Sequence, residues 1–258
     1  MKLLAVGFFC LASLAASTLQ AQERVVSSLG RIEPAGGVIR LAGPSGLGSV
    51  IVELRVEEGD QVKKGEIIAM LDSYPVRQAD KARLDAELLN NRKQLEREQK
   101  LAKSMASSAS KIESLELNVK AAEAAVAAAR AMLNLSLVKA PKDGQILYVH
   151  AYPGERVGAK GVVEIGDTSK MYAVAEVYET DIILAKVGQR AQITSPALAS
   201  PVSGTVESIG MKVGRMDVLG MDPVAEADAR VIEVDILLDE ADAVRSLTNL
   251  QVEVEITP

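Results

Sequence analysis

One phrase occurs twice in this chain. The first copy reads Leu54, Val56, Gly59-Asp60, Val62, Gly65, Asp72, and the second reads Leu147, Val149, Gly154-Glu155, Val157, Gly161, Asp167. Each copy runs strand, glycine turn, short strand, glycine turn, strand. Glycine suits both turns because it adopts positive φ at no steric cost. Between the copies, residues 73–138 hold no glycine and show helical periodicity. A small β domain has therefore been cut at its middle and a helical hairpin inserted there.

The inserted stretch carries its own signals. Asp72-Ser73 can cap a helix and Pro75 fits its first turn. From Val76 to about Lys103 the residues are good helix formers, enough for a rod of about 40 Å. Ser104 to Ser110 breaks it, and Ser110 with Glu113 reads as a capping box opening a second helix. Ile112, Val119, Val126 and Leu133 recur at heptad spacing, as do Leu115, Ala122, Ala129 and Ser136 three residues behind. That is an a/d seam, and its small d residues let two helices approach closely. Leu84, Leu88, Leu95 and Ala102 answer from the first helix, with polar Asn91 and Glu98 at its other seam positions. Two antiparallel helices follow, with much of each left exposed for lateral partners.

The flanking regions read as β. Val25 to Leu41 is β-like with a break at Gly36-Gly37, and a loop follows at Gly43 to Gly46. Val50, Val52, Leu54 and Val56 lie at alternate positions of a period-two strand, and Ile67 to Leu71 is a buried one. Ala140-Pro141 stops the second helix. After Asp167, strands are expected at Tyr172–Val177, Arg190–Thr194, Val202–Val206, Val231–Leu238 and Leu250–Ile256, with a short helical turn from Thr180 or Asp181 to Ala185. About six short strands at this spacing suggest a small antiparallel barrel. Met211 to Ala229 is expected to be a long barrel loop. The fold class is mainly β with an inserted α-helical hairpin. The expected units are a split β domain over 25–72 and 139–168, the hairpin over 73–138, and the barrel over 169–258.

Composition removes several function classes. Among 258 residues the net charge is −6 and the pI is near 5.1, which disfavours general attraction to phosphate backbones. There is no Trp, and both Phe residues lie at positions 8 and 9, so an aromatic platform for nucleic acid is not expected. His150 is the only histidine, which leaves a catalytic triad or zinc site little to work with; it reads as a surface residue. Glu57-Glu58 and Asp239-Glu240 fall beside turns, where solvation explains them. No phosphate-binding glycine motif is present. Met1-Lys2, the apolar run Leu3 to Leu14 and small residues to Gln22 fit an export signal over residues 1–22, or an uncleaved N-terminal anchor. Cys10 lies inside that run and is the only cysteine, so disulfides and thiolate metal sites are excluded.

Two such half-motifs resemble the biotinyl/lipoyl carrier domain, whose cofactor lysine sits on the tight turn joining the halves. Here the hairpin replaces that turn, and Lys139 and Lys142 lie beyond it without the carrier's flanking pattern. No cofactor is expected. The motifs as a set resemble the periplasmic adaptor family, also called membrane fusion proteins or the HlyD family. Val56 to Glu66 resembles its first lipoyl half, and Lys139 to Gly144 with Gly154 to Val157 resembles its second. Asp181, Val187-Gly188-Gln189-Arg190-Ala191 and Gly204-Thr205-Val206 resemble its barrel. The tail from Asp228 to Val234 and from Leu247 to Ile256 resembles the DevB-like subgroup, which serves ABC exporters.

The resemblance implies a non-enzymatic, periplasmic, inner-membrane-associated adaptor. Its implied partners are an inner-membrane ABC transporter, a TolC-type outer-membrane channel and further copies of itself, as in the family's hexamers. Arg97, Leu101 and Ser108 match the spacing at which many members dock their hairpin tip onto the channel. Members serving proton-driven pumps usually continue into a membrane-proximal domain, whereas this sequence stops at Pro258 after its last expected strand. An ABC partner is therefore expected, with a proton-driven multidrug pump as the alternative. A self-associating coiled-coil protein without a channel partner is the reading from a different class.

Overall fold

The computed structural model describes residues 24–43, 49–103, 108–218 and 229–257. The signal or anchor expected over 1–22, most of the Gly43–Gly46 loop and residues 104–107 of the hairpin turn lie outside these. In chain order the strands are β1 (Val26–Leu41), β2 (Ile51–Leu54), β3 (Gln61–Val62), β4 (Ile67–Leu71), β5 (Leu137–Lys139), β6 (Gly144–Val149), β7 (Val163–Tyr178), β8 (Arg190–Thr194), β9 (Val202–Arg215), β10 (Arg230–Leu238) and β11 (Gln251–Thr257). The helices are α1 (Tyr74–Ala102) and α2 (Ala109–Asn134).

Six strands close a barrel. The order β1-β11-β8-β9-β10-β7 returns to its start because β7 also pairs with β1, and every pairing is antiparallel. Closure removes the exposed edges that an open sheet would carry. Alternation along β7 shows how sequence fills it. Met171, Ala173, Ala175 and Val177 enter a core with Ile32, Ile193, Val234, Ile236, Val254 and Ile256.

β1 corrects the expected division of the chain. The sequence pattern places residues 25–41 as a whole in the split β domain, but the strand serves two units. Val26 and Ile32 belong to the barrel core, whereas Leu41 belongs to a second core. A run of 16 residues reaches roughly 50 Å when extended, enough to cross both. The change of unit falls at Pro34, Ala35 and Ile39, where the β1–β7 register shifts and Gly36 and Gly37 take φ of 71° and 73°. The expected Met211–Ala229 loop also begins later, because β9 continues to Arg215 and pairs there with Arg230. Residues 219–228 lie outside the described residues.

The second core lies between two layers. β2, β4 and β5 form one sheet, and the ends of β1 and β7 continue into β6 and β3 as the other. Ile51, Ile68, Leu71, Ile146, Val162 and Ile165 fill the space between them. The two sequence copies interlock reciprocally. Ile51 N donates to Glu155 O at 2.9 Å, and Ile146 N donates to Asp60 O at 2.8 Å. Gly154 N donates to Ile51 O and Gly59 N to Ile146 O, both at 2.8 Å. Gly59, Gly65, Gly154 and Gly161 all have positive φ, between 80° and 95°. The pairing corrects one detail of the sequence alignment. Ile51 corresponds to Ile146, so Leu54 aligns with Val149 rather than Leu147. A slip of two residues keeps every side chain on its face and is invisible to hydrophobic alternation.

The helices pack on each other and make no comparable contact with any strand, so the hairpin stands clear of the β body. In α2 the buried residues are Leu115, Ala122 and Ala129, the expected d positions. Ile112, Val119, Val126 and Leu133 are half-buried beside them. In α1 no residue is fully buried, and partial burial follows Leu84, Leu88, Asn91, Leu95, Glu98 and Ala102. Arg92 and Glu123 bridge the helices at 2.7 Å.

Candidate partner-binding site

The three residues singled out for docking all lie toward the distal end of the hairpin. Arg97 and Leu101 are one turn apart on α1, hence on one face, and both are exposed, Leu101 at 43%. Ser108 is exposed at the start of α2 and is its N-cap. Its backbone is extended, with φ −96° and ψ 148°, and its hydroxyl accepts from Lys111 N at 3.3 Å. This corrects the capping box expected at Ser110 and Glu113. Ser110 already lies inside the helix, two residues past the cap. Ser108 thus has a structural duty that spacing alone did not reveal.

A second surface runs down α2. Leu117, Ala121, Ala124, Ala128, Met132 and Leu135 repeat at intervals of three and four residues, and all are exposed. They form an apolar stripe on a helix whose other stripe already faces α1. The outer face of α1 differs in kind. It carries the ion pairs Asp80–Arg83, Arg83–Glu87 and Glu96–Lys100, as a solvated helix face does. The hydrogen bond and charge of Lys100 hold the Glu96 carboxyl below its ordinary pKa.

The main polar cluster of the barrel is centred on Glu176 and Arg31. Glu176 is buried, receives Arg31 Nη1 at 2.8 Å, and accepts from the amides of Asp217 and Val218 at 2.9 and 3.1 Å. Arg31 also bridges Glu33 and Glu233. Burial works against its charge, yet hydrogen bonds to Glu233 and Glu33 hold its pKa above the ordinary arginine value. An open hollow beside them is lined by Glu33, Tyr172, Glu207 and Asp235. Glu207 accepts the Tyr172 hydroxyl, and with burial this pushes Tyr172 up to about 12, while Asp235 accepts Ser208 Oγ at 2.6 Å. Among the described residues no group of His, Cys, Asp and Glu is placed to hold a metal ion.

His150 is not the surface residue that its sequence context suggested. Its Nε2 lies 3.0 Å from Glu164 Oε1, which also accepts Arg40 Nε at 3.0 Å. Burial favours protonation of Glu164, but the His150 and Arg40 bonds prevail and hold its pKa low. The two lysines weighed as carrier sites are also committed. Lys139 Nζ donates to Asn134 Oδ1 and Lys142 Nζ to Ala35 O, each at 3.2 Å. Neither sits on a tight turn joining the halves.

The architecture is thus a split two-layer β domain, a helical hairpin inserted into it and a closed barrel. The family model for the CzcB-like, barrel-sandwich hybrid domain matches residues 44–167. The chain is 30% identical over 188 residues to the multidrug resistance protein MdtA of Escherichia coli, a match covering 67% of this chain and 45% of that protein. The chain therefore spans less than half the length of the curated relatives it matches. A MacA-MexA chimera containing the Pseudomonas aeruginosa MexA α-hairpin superposes with a TM-score of 0.72 at 22% identity, covering 91% of this chain and 79% of the other. MacA from Actinobacillus actinomycetemcomitans gives 0.61 at 22% identity, covering 91% and 78%. The family model covers just under half of the chain, and the two solved structures, each 22% identical, show likeness of fold. They do not separate out the DevB-like subgroup.

Proposed function

We propose that this chain is the periplasmic adaptor of a tripartite export system, bridging an inner-membrane ABC transporter to a TolC-type outer-membrane channel. The observation that carries this reading is the free-standing hairpin with Arg97 and Leu101 exposed toward its distal end. Arg97 offers a forked set of donors to carbonyls or carboxylates. Leu101 offers an apolar knob, and Ser108 can donate its hydroxyl proton outward while its oxygen caps α2. The chain itself performs no reaction in this reading, and energy comes from the transporter's ATPase.

The adaptor acts as a ring, with a hexamer as the expected state. The apolar stripe of α2 supports lateral packing, since a helix apolar on two faces needs cover on both. The DevB-like tail supports an ABC partner. The likeness to a protein named for multidrug resistance supports a second reading, the adaptor of a proton-driven multidrug pump.

Affinity purification of the full chain from membranes, with mass spectrometry of what accompanies it, separates the two. An ATP-binding transporter in stoichiometric amount is the expected result. A proton-driven pump transfers the assignment to the second reading. Folded oligomers accompanied by neither contradict both.

A further inference from the structure

We infer that one end of the barrel carries a built contact for an anionic lipid surface, formed by Ile183, Val187, Arg24 and Lys186. These residues line a single open groove with Leu184, Gln189, Arg190 and Thr257. Ile183 is 80% exposed and Val187 is 64% exposed. Scattered single apolar residues on a surface need no explanation. Here two branched ones share one short connection, and Val25 is exposed where the chain enters beside them.

The connection holds its apolar residues outward for a local reason. A 3₁₀ turn, η1 (Ile182–Leu184), follows Asp181, with Leu184 N donating to Asp181 O at 2.9 Å. Ile182 and Leu184 pack toward the barrel core, and Ala185 is buried in it. Ile183, between them, points away. Gln189 then closes the segment, its Oε1 accepting Lys186 N at 2.6 Å and its Nε2 donating to Leu184 O at 3.1 Å. The tip is thus braced at both ends while its apolar side chains stay in solvent.

Charge selects the occupant. The whole chain carries a net charge of −6, yet Arg24 and Lys186 stand at this groove, and neither is in an ion pair among the described residues. Of the acids at this end, Asp239 holds Arg190 and Glu179 holds Arg230, while Glu255 is exposed on β11 two residues before Thr257. Asp181 remains at the start of the 3₁₀ turn. Cations flanking exposed apolar residues are what a peripheral contact with anionic head groups needs. Placement agrees. Arg24 lies ten residues after the apolar run Leu3 to Leu14 in the sequence, and Val26 begins the barrel end of β1, whereas Leu41 at its other end belongs to the other core. Among the described residues no helix is long and apolar enough to cross a membrane. The inference rests on the inner-membrane association proposed above.

The test uses the full chain with Cys10→Ser, carrying one environment-sensitive fluorophore at Ile183→Cys or, as control, at Gln94→Cys on the hairpin. Vesicles are phosphatidylcholine alone or with about one third phosphatidylglycerol. The label at 183 should shift to the blue with anionic vesicles only, and the label at 94 with neither. Arg24→Glu with Lys186→Glu should weaken the response more than tenfold, at roughly fivefold per reversed charge. No shift at 183, or an equal shift with neutral vesicles, overturns the assignment and gives the tip to a protein partner. The assay contains neither transporter nor channel, so its failure leaves the bridging function untouched.

Discussion

Ile51 and Ile146 occupy the same place in the two halves of the split domain. Each gives its amide to an acidic turn residue of the other half and takes an amide from that half's glycine. The cut through the domain therefore costs it no pairing, and the hairpin can be inserted without opening the core.

Gly59→Ala and Gly154→Ala should destabilise the chain by similar amounts. A Cβ at either position meets nothing within 4 Å, so the penalty comes from φ of 95° and 90° alone. About 1–2 kcal/mol each is expected. Gly30→Ala should cost more, because its Cβ would lie 2.5 Å from Val174 O. Urea denaturation of the three variants checks the order.

Ser108 has two roles that substitution can separate. Ser108→Ala removes the cap and should cost about 1 kcal/mol, while Ser108→Asp keeps the cap. If the hydroxyl also docks, export should fall in both variants, although only the first loses stability. Thermal melts followed by helical circular dichroism, alongside an export assay, make the comparison.

Acid should release a defined contribution from Glu164. Its folded-state pKa is lowered by His150 and Arg40 against the effect of burial. A carboxyl lowered on folding stabilises above its ordinary range and loses that contribution as pH falls through the folded value. Glu164→Gln should flatten the acid limb of the stability profile and lower stability near neutrality. An unchanged acid limb would show that the His150–Glu164–Arg40 contacts do not govern it.

The α2 stripe makes a prediction about assembly. Ala124→Glu with Ala128→Glu alters exposed positions and should leave the monomer's melting temperature within about 0.5 kcal/mol equivalent. Sedimentation velocity should show loss of the higher oligomer. Intact oligomers would place the lateral contacts elsewhere.

The hairpin was legible because a heptad repeat records burial directly, and Leu115, Ala122 and Ala129 are buried at the d positions it named. The repeated glycine turns were legible because positive φ leaves few residue choices. Other features left weaker traces. The strand copies can slide by two residues without altering their pattern, which hid the match of Ile51 to Ile146. Along β1 the core-facing residues pass from even positions, Val26 and Ile32, to odd ones, Ile39 and Leu41. The Gly36-Gly37 break marked the change in the sequence, but not the partner strands on either side of it, so the strand's role in closing the barrel was not readable. Ser108 and Ser110 offer the same hydroxyl, and only backbone conformation separates the cap from its neighbour. His150 acquires its partner Glu164 only when β6 and β7 pair. The α2 stripe was hidden by alanine, which suits either an exposed or a buried helix face.

The most direct test of the bridge is a cross-link at the hairpin tip in cells. Lys103 is exposed at the end of α1 and is outside the proposed contact set. With Cys10→Ser, Lys103→Cys carries the only thiol. The account predicts a covalent adduct with an outer-membrane channel protein, absent when the thiol is moved to Ser203 on the barrel. Adducts only with other copies of this chain, in cells where the channel is present and export is active, would contradict it.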